Sequence, residues 1–144
     1  MIGRRVHGSA VAIDGRGVLL LGASGRGKSD LALRLIDRGA VLIADDQVEL
    51  VQRRGRVHAC ALAIIYGKLE VRGIGIVDVD AAAAPISLVV DIEREPERLP
   101  EPTAITIEDV RLPLIALAPF DASAPIKVEL ALKRFGLPLE GAAS

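Results

Sequence analysis

The chain has 144 residues, half of them hydrophobic and almost none aromatic, with a formal net charge of −1. That length supports one domain with an aliphatic core and leaves no room for separate catalytic and regulatory domains. Scattered, balanced charge excludes the clustered Lys/Arg footprint of a nucleic-acid binder, and a lone cysteine, Cys60, excludes an internal disulfide and a Cys-based metal cage. No apolar run approaches bilayer-spanning length and the N-terminus lacks a signal-peptide core, so a cytoplasmic protein with no membrane partner is expected. So much apolar character on a small domain also predicts a surface covered by other copies, a homo-oligomer, with other interaction sites an equal explanation.

Residues 5–13 and 18–21 read as two strands around Asp14-Gly15-Arg16-Gly17, an Asp-Gly hairpin signal. The second strand runs into Gly22-Ala23-Ser24-Gly25-Arg26-Gly27-Lys28-Ser29, the G-x-x-x-x-G-K-S pattern of a Walker A phosphate loop. Behind it Leu31, Leu35 and Ile36 recur at helical spacing, and Gly39 is placed to end the helix. Strand, loop and helix are the context such a loop requires. Its glycines let backbone N–H groups approach phosphates, and the helix start adds unpaired donors and a positive dipole end. The motif predicts a bound nucleoside triphosphate, with Lys28 on the β- and γ-phosphates and the Ser29 hydroxyl on Mg²⁺.

Residues 40–44 form a continuous apolar run, as a strand buried on both faces requires, and end in Asp45-Asp46. A strand ending in Asp after a phosphate-loop helix is the Walker B arrangement, in which a carboxylate reaches the metal or its water shell. Successive strand residues point to opposite faces, so one of the two acids is expected to face the nucleotide, and either could. Residues 47–52 and 57–62 bracket Arg53-Arg54-Gly55-Arg56 as a hairpin with a solvated tip. Residues 69–79 alternate as a strand interrupted by Gly73 and Gly75. There Glu70 and Arg72 share a face, which composition alone reads as a surface ion pair, while a second Mg²⁺ contact from Glu70 is the chemically reasonable alternative.

A further strand is expected over 86–92, an exposed Pro- and Glu-rich loop over 93–102, and one or two strands over 103–117. Val128, Ala131, Leu132 and Phe135 then fall on one face of an amphipathic helix closed by Gly136 and Pro138. Residues 141–144 read as a frayed tail. His7 beside Gly8 carries little weight by itself, and Asp30 is either metal support or a first-turn acid favoured by the helix dipole. The chain contains no Asn, which removes the N-K-x-D guanine reader of a GTPase switch. A metabolite kinase would need a longer lid than this length accommodates.

Taken in order, H-G-x-x-V at residues 7–11, G-x-S-G-x-G-K-S-[DE] at 22–30, L-I-A-D-D at 42–46 and L-E-V-R-G-I-G-I at 69–76 resemble the catalytic domain of bacterial HPr kinase/phosphorylase. The resemblance covers residues 5–80 and weakens afterwards. It implies an α/β P-loop kinase domain over residues 1–140, with a mixed, strand-rich sheet around the Walker A loop-helix and a C-terminal amphipathic helix. It also implies an ATP- and Mg²⁺-dependent protein-serine kinase acting on HPr or an HPr-like phosphocarrier, assembled as a hexamer. Carried over residue by residue, Asp46 becomes the base that accepts the seryl proton, Ser29 and Glu70 the Mg²⁺ ligands and Lys28 the neutraliser of the moving phosphoryl group. His7 becomes an active-site histidine, and Arg98 the counterpart of a later family arginine.

Two departures bear on function. The family carries an unrelated N-terminal domain, whereas this chain opens on the catalytic part, so any regulatory domain is expected on another chain. Where the family has a P-G-R-N-like loop linked to dephosphorylation, this chain has Pro119-Phe120-Asp121-Ala122, which argues against efficient phosphorolysis. The competing reading is a nucleotide-sensing regulatory module with weak or no transferase activity.

Overall fold

A computed structural model describes residues 3–23 and 25–139. The first two strands, β1 (Arg4–Ile13) and β2 (Arg16–Leu21), form the expected hairpin, with Asp14 and Gly15 both at positive φ as a two-residue turn demands. Helix α1 (Lys28–Asp37) follows the glycine-rich loop, and its last carbonyls are met by the N–H groups of Arg38, Gly39 and Ala40. Strand β3 (Val41–Ala44) then leads through Asp45-Asp46 into β4 (Gln47–Arg53), which pairs with β5 (Arg56–Cys60).

The expected strand over residues 69–79 is instead a separate hairpin of β6 (Lys68–Val71) and β7 (Gly75–Asp78). Gly73 and Gly75 adopt φ of 84° and 118°, so they reverse the chain where the alternation predicted continuation. Arg72 accordingly lies in the turn and does not share a strand face with Glu70. Strand β8 (Ala84–Asp91) follows, then the hairpin of β9 (Thr103–Ile107) and β10 (Val110–Ala116), and finally α2 (Ala124–Phe135).

Strands β3, β1, β2, β8, β10 and β9 lie side by side in that order, with β2, β8 and β10 mutually parallel and the remaining pairs antiparallel. Alternation sorts their side chains onto two faces. Val11, Val18, Leu20, Leu88 and Val90 pack with α1, α2 and Leu69 of β6 in one core. Ala10, Ala12, Leu19 and Val89 face the other way, onto Val48, Leu50, Val57 and Ala59 of β4 and β5. The domain is thus three layers deep, with helices on one side of the central sheet and the β4–β5 hairpin on the other.

Strand β1 forks between those layers. Its first half, Arg4 to His7, pairs with β4, and its second half, from Ala10 to Ala12, pairs with β3. Arg56 does not form part of a solvated tip as its neighbours predicted. It reaches back to Ser87 and to the carbonyls of Ile86 and Pro138, tying the β4–β5 hairpin to the segment after α2. Among the described residues no helix is long and apolar enough to cross a membrane.

Candidate active site

The parallel strands deliver their C-terminal ends to one edge, where Leu21 pairs with Asp91 and Asp91 with Ala116. In open α/β sheets that edge is where ligands bind. The loop from Gly22 to Gly27 leaves it and enters α1, whose first turn has no side-chain cap. Gly27 sits at φ 100°, a left-handed conformation that costs a residue with a Cβ about 1 kcal/mol or more. Ser24, one of the expected phosphate-contacting residues, lies outside the described residues.

Lys28 is 94% buried (6% exposed), and its ammonium donates to the Gly22 and Ala23 carbonyls at 2.6 and 2.9 Å. Burial pushes its pKa below the ordinary 10.5, while Asp46, Glu93 and Asp45 pull the other way. The folded chain therefore holds this proton less tightly than the unfolded chain does. Lys28 costs stability at neutral pH, and that cost is relieved as pH rises through the lowered value. A polyphosphate bound here would restore the proton's hold, so nucleotide affinity is expected to fall as pH climbs through the lowered value, below the onset for an ordinary lysine. Calorimetric titrations from neutral to alkaline pH check this, and Lys28→Arg, which stays charged, should flatten the profile.

Asp45 and Asp46 separate as alternation requires. Asp45 is buried and points toward α1. Its Oδ1 accepts from Ser29 Oγ at 2.7 Å and Ser9 Oγ at 2.8 Å, and its Oδ2 accepts from the Glu70 backbone N–H at 3.2 Å. A buried carboxylate needs such donors, since each hydrogen bond to a charged group contributes about 1.5–3 kcal/mol. Ser9→Ala should therefore lower unfolding free energy by about 1–3 kcal/mol in urea while leaving nucleotide binding in place. Ser9 escaped the sequence reading; its signal is a small hydroxyl inside an otherwise apolar strand.

Asp46 occupies the turn between β3 and β4 at φ 73°, a conformation that Asp tolerates better than most residues. Its carbonyl accepts from the Gly8 N–H at 3.0 Å, and its Oδ1 lies 3.4 Å from His7 Nδ1, with both side chains partly open to solvent. The two side chains sit in the fork of β1.

Other expected residues are placed less centrally. Glu70 brings its backbone N–H to Asp45 while its side chain is exposed. Arg26 lies 3.5 Å from Glu93 across the loop mouth. Asp30 forms an i,i+4 ion pair with Arg34 at 2.9 Å in the first turns of α1. Arg98 is exposed in the segment after β8, and no hydrogen bond or ion pair among the described residues ties it to the site.

The donor set fits Mg²⁺ and a triphosphate. Among the described residues no group of three or more His, Cys, Asp or Glu side chains is placed to hold a metal. A cation here would take a protein hydroxyl and one or two carboxylates and draw its other ligands from water and phosphate, which is how Mg²⁺ binds. An uncapped helix start with a buried ammonium beneath it fits the anion.

The description "HPr Serine kinase C-terminal domain" belongs to a family model that matches residues 2–98. The HPr kinase/phosphorylase of Clostridium tetani is 44% identical over 89 residues, spanning 62% of this chain and 29% of that protein. That of Lactobacillus acidophilus is 52% identical over 75 residues, spanning 51% of this chain and 23% of that protein. The chain thus spans less than a third of the length of these curated relatives. The solved structure of the Hpr(Ser) kinase/phosphatase from Coxiella burnetii superposes with a TM-score of 0.80 at 26% identity, over 91% of this chain and 95% of that one. The chain belongs to the HPr serine kinase C-terminal domain family.

Proposed function

We propose that this chain is a Mg²⁺- and ATP-dependent protein-serine kinase that moves the γ-phosphoryl group of ATP to a serine of HPr or an HPr-like phosphocarrier protein. The observation that carries the reading is the division of labour between the two adjacent acids. Asp45 is turned inward onto Ser29, and Asp46 is turned outward beside His7, its Oδ1 3.4 Å from the imidazole. Ser29 and Glu70 would hold Mg²⁺, which would offset the charge of the phosphates. Gly22, Ala23, Ser24, Gly25, Arg26 and Gly27 supply the loop that cradles the phosphates. Lys28 exchanges its carbonyl partners for phosphate oxygens, so its charge faces the group being transferred.

Asp46 then accepts the proton of the incoming seryl hydroxyl, and His7 orients that carboxylate. The resemblance adds Arg98 to the proposed catalytic residues. Residues 1–140 act as one catalytic unit in this reading, in the cytoplasm. The family membership favours a kinase over a nucleotide-sensing module. Exposed Ile64, Ile74 and Ile76 around the β6–β7 hairpin support a homo-oligomer, and the resemblance gives a hexamer as the assembly to test. Labelled ATP, Mg²⁺ and the HPr-type proteins of the same organism test the activity: label on a serine of the carrier supports it, while tight ATP binding without transfer leaves the sensing module. Adding inorganic phosphate to the phosphorylated carrier and measuring pyrophosphate decides phosphorolysis.

A further inference from the structure

Phe120 is one of three aromatic residues in the chain, and it is 69% exposed. It does not sit at random on the surface. A Cβ built on Gly27 would lie 2.9 Å from Phe120 Cζ and 3.4 Å from Pro119 Cβ, so the tip of the ring rests on the last residue of the phosphate loop. The segment that carries it, between β10 and α2, rises from the same edge of the parallel strands as that loop.

Arg34 of α1 fixes this placement. Its guanidinium donates to the carbonyls of Pro119 and Asp121, the residues on either side of Phe120, and pairs with Asp30 one turn back. Both ends of the aromatic residue are therefore tied to the helix that the phosphate loop begins. An apolar ring left open to water costs hydration free energy, and here it is held open at the mouth of a polyphosphate site instead of being folded into the aliphatic core.

We infer that Phe120 is the nucleobase platform of this site: adenine stacks on the ring while Gly27 and its neighbours hold the phosphates. This rests on the proposed nucleotide site and adds to it a contact for the base, which the phosphate loop does not touch. Stacking of a base on an aromatic side chain is worth about 5- to 160-fold in affinity, and it tolerates different bases because each has a π-face. ATP and GTP should thus bind with similar strength, and tripolyphosphate, which has no base, more weakly.

Affinities of ATP and of tripolyphosphate, each with Mg²⁺, provide the test. Phe120→Ala should weaken ATP about 10-fold and leave tripolyphosphate unchanged, while Phe120→Tyr should retain ATP affinity. The natural chain has no Trp, so Phe120→Trp gives a fluorescence reporter that should respond to ATP and not to tripolyphosphate. Equal weakening of both ligands would mean that the ring only shapes the loop, and unchanged ATP affinity with slower carrier phosphorylation would assign Phe120 to the protein acceptor; either overturns the inference. If the unaltered chain binds neither ligand, the nucleotide site itself is wrong.

Discussion

Asp46→Asn is expected to lower phosphoryl transfer to the carrier protein by about 10²- to 10⁴-fold, the range general-base catalysis supplies, while ATP binds as before. The substitution isolates the carboxylate. Asn has nearly the same volume and tolerates a φ of 73° about as well as Asp, so the turn that Gly8 pins through the residue 46 carbonyl should persist. What disappears is the acceptor for the seryl proton, since an amide oxygen is too weak a base. Steady-state transfer measured beside ATP affinity and a melting curve checks this. A variant that folds, binds ATP and still transfers at the native rate would remove Asp46 from the mechanism. The matching change at Asp45 has a different signature. Asp45→Asn leaves Ser9 and Ser29 facing an amide, and it should impair folding stability and Mg²⁺ dependence together.

Lys28→Ala should reduce transfer by about 10²- to 10³-fold or more, as removal of a preorganised charge-stabilising group does, and it should also weaken ATP binding. Its effect on folding runs against the usual rule for buried residues. Among the described residues the ammonium meets no ionic partner within hydrogen-bond distance and is held by two loop carbonyls, so truncation removes both a desolvated charge and its two hydrogen bonds. These contributions oppose each other, and the melting temperature should move by only a few degrees. Full activity in this variant would show that the phosphate site lies elsewhere.

Much of this architecture was legible from local chemistry. Two-residue turns at Asp14-Gly15 and at Arg54-Gly55 demand positive φ at both positions, and both occur where the residues forecast them. Helix α1 has its apolar stripe and its stop at Gly39 for equally local reasons. What stayed hidden depends on pairing between distant segments. The alternation over residues 69–79 is shared by one long strand and by a hairpin, and only the backbone conformations of Gly73 and Gly75 distinguish them. Likewise, Asp45 and Asp46 could be separated onto opposite faces by periodicity but not assigned to them. That assignment comes from Ser9, which approaches from 36 residues upstream, and no local pattern reports it.

The fork of β1 couples the two acids mechanically. His7 and Ser9 lie two residues apart, hence on one side of the strand, with His7 against Asp46 and Ser9 against Asp45. One short stretch of chain is thereby the common ruler for the proposed proton acceptor and for the carboxylate that holds the Ser29 hydroxyl. A one-residue slip of β1 would turn both side chains away at once, so the two halves of the chemistry are gained or lost as a unit.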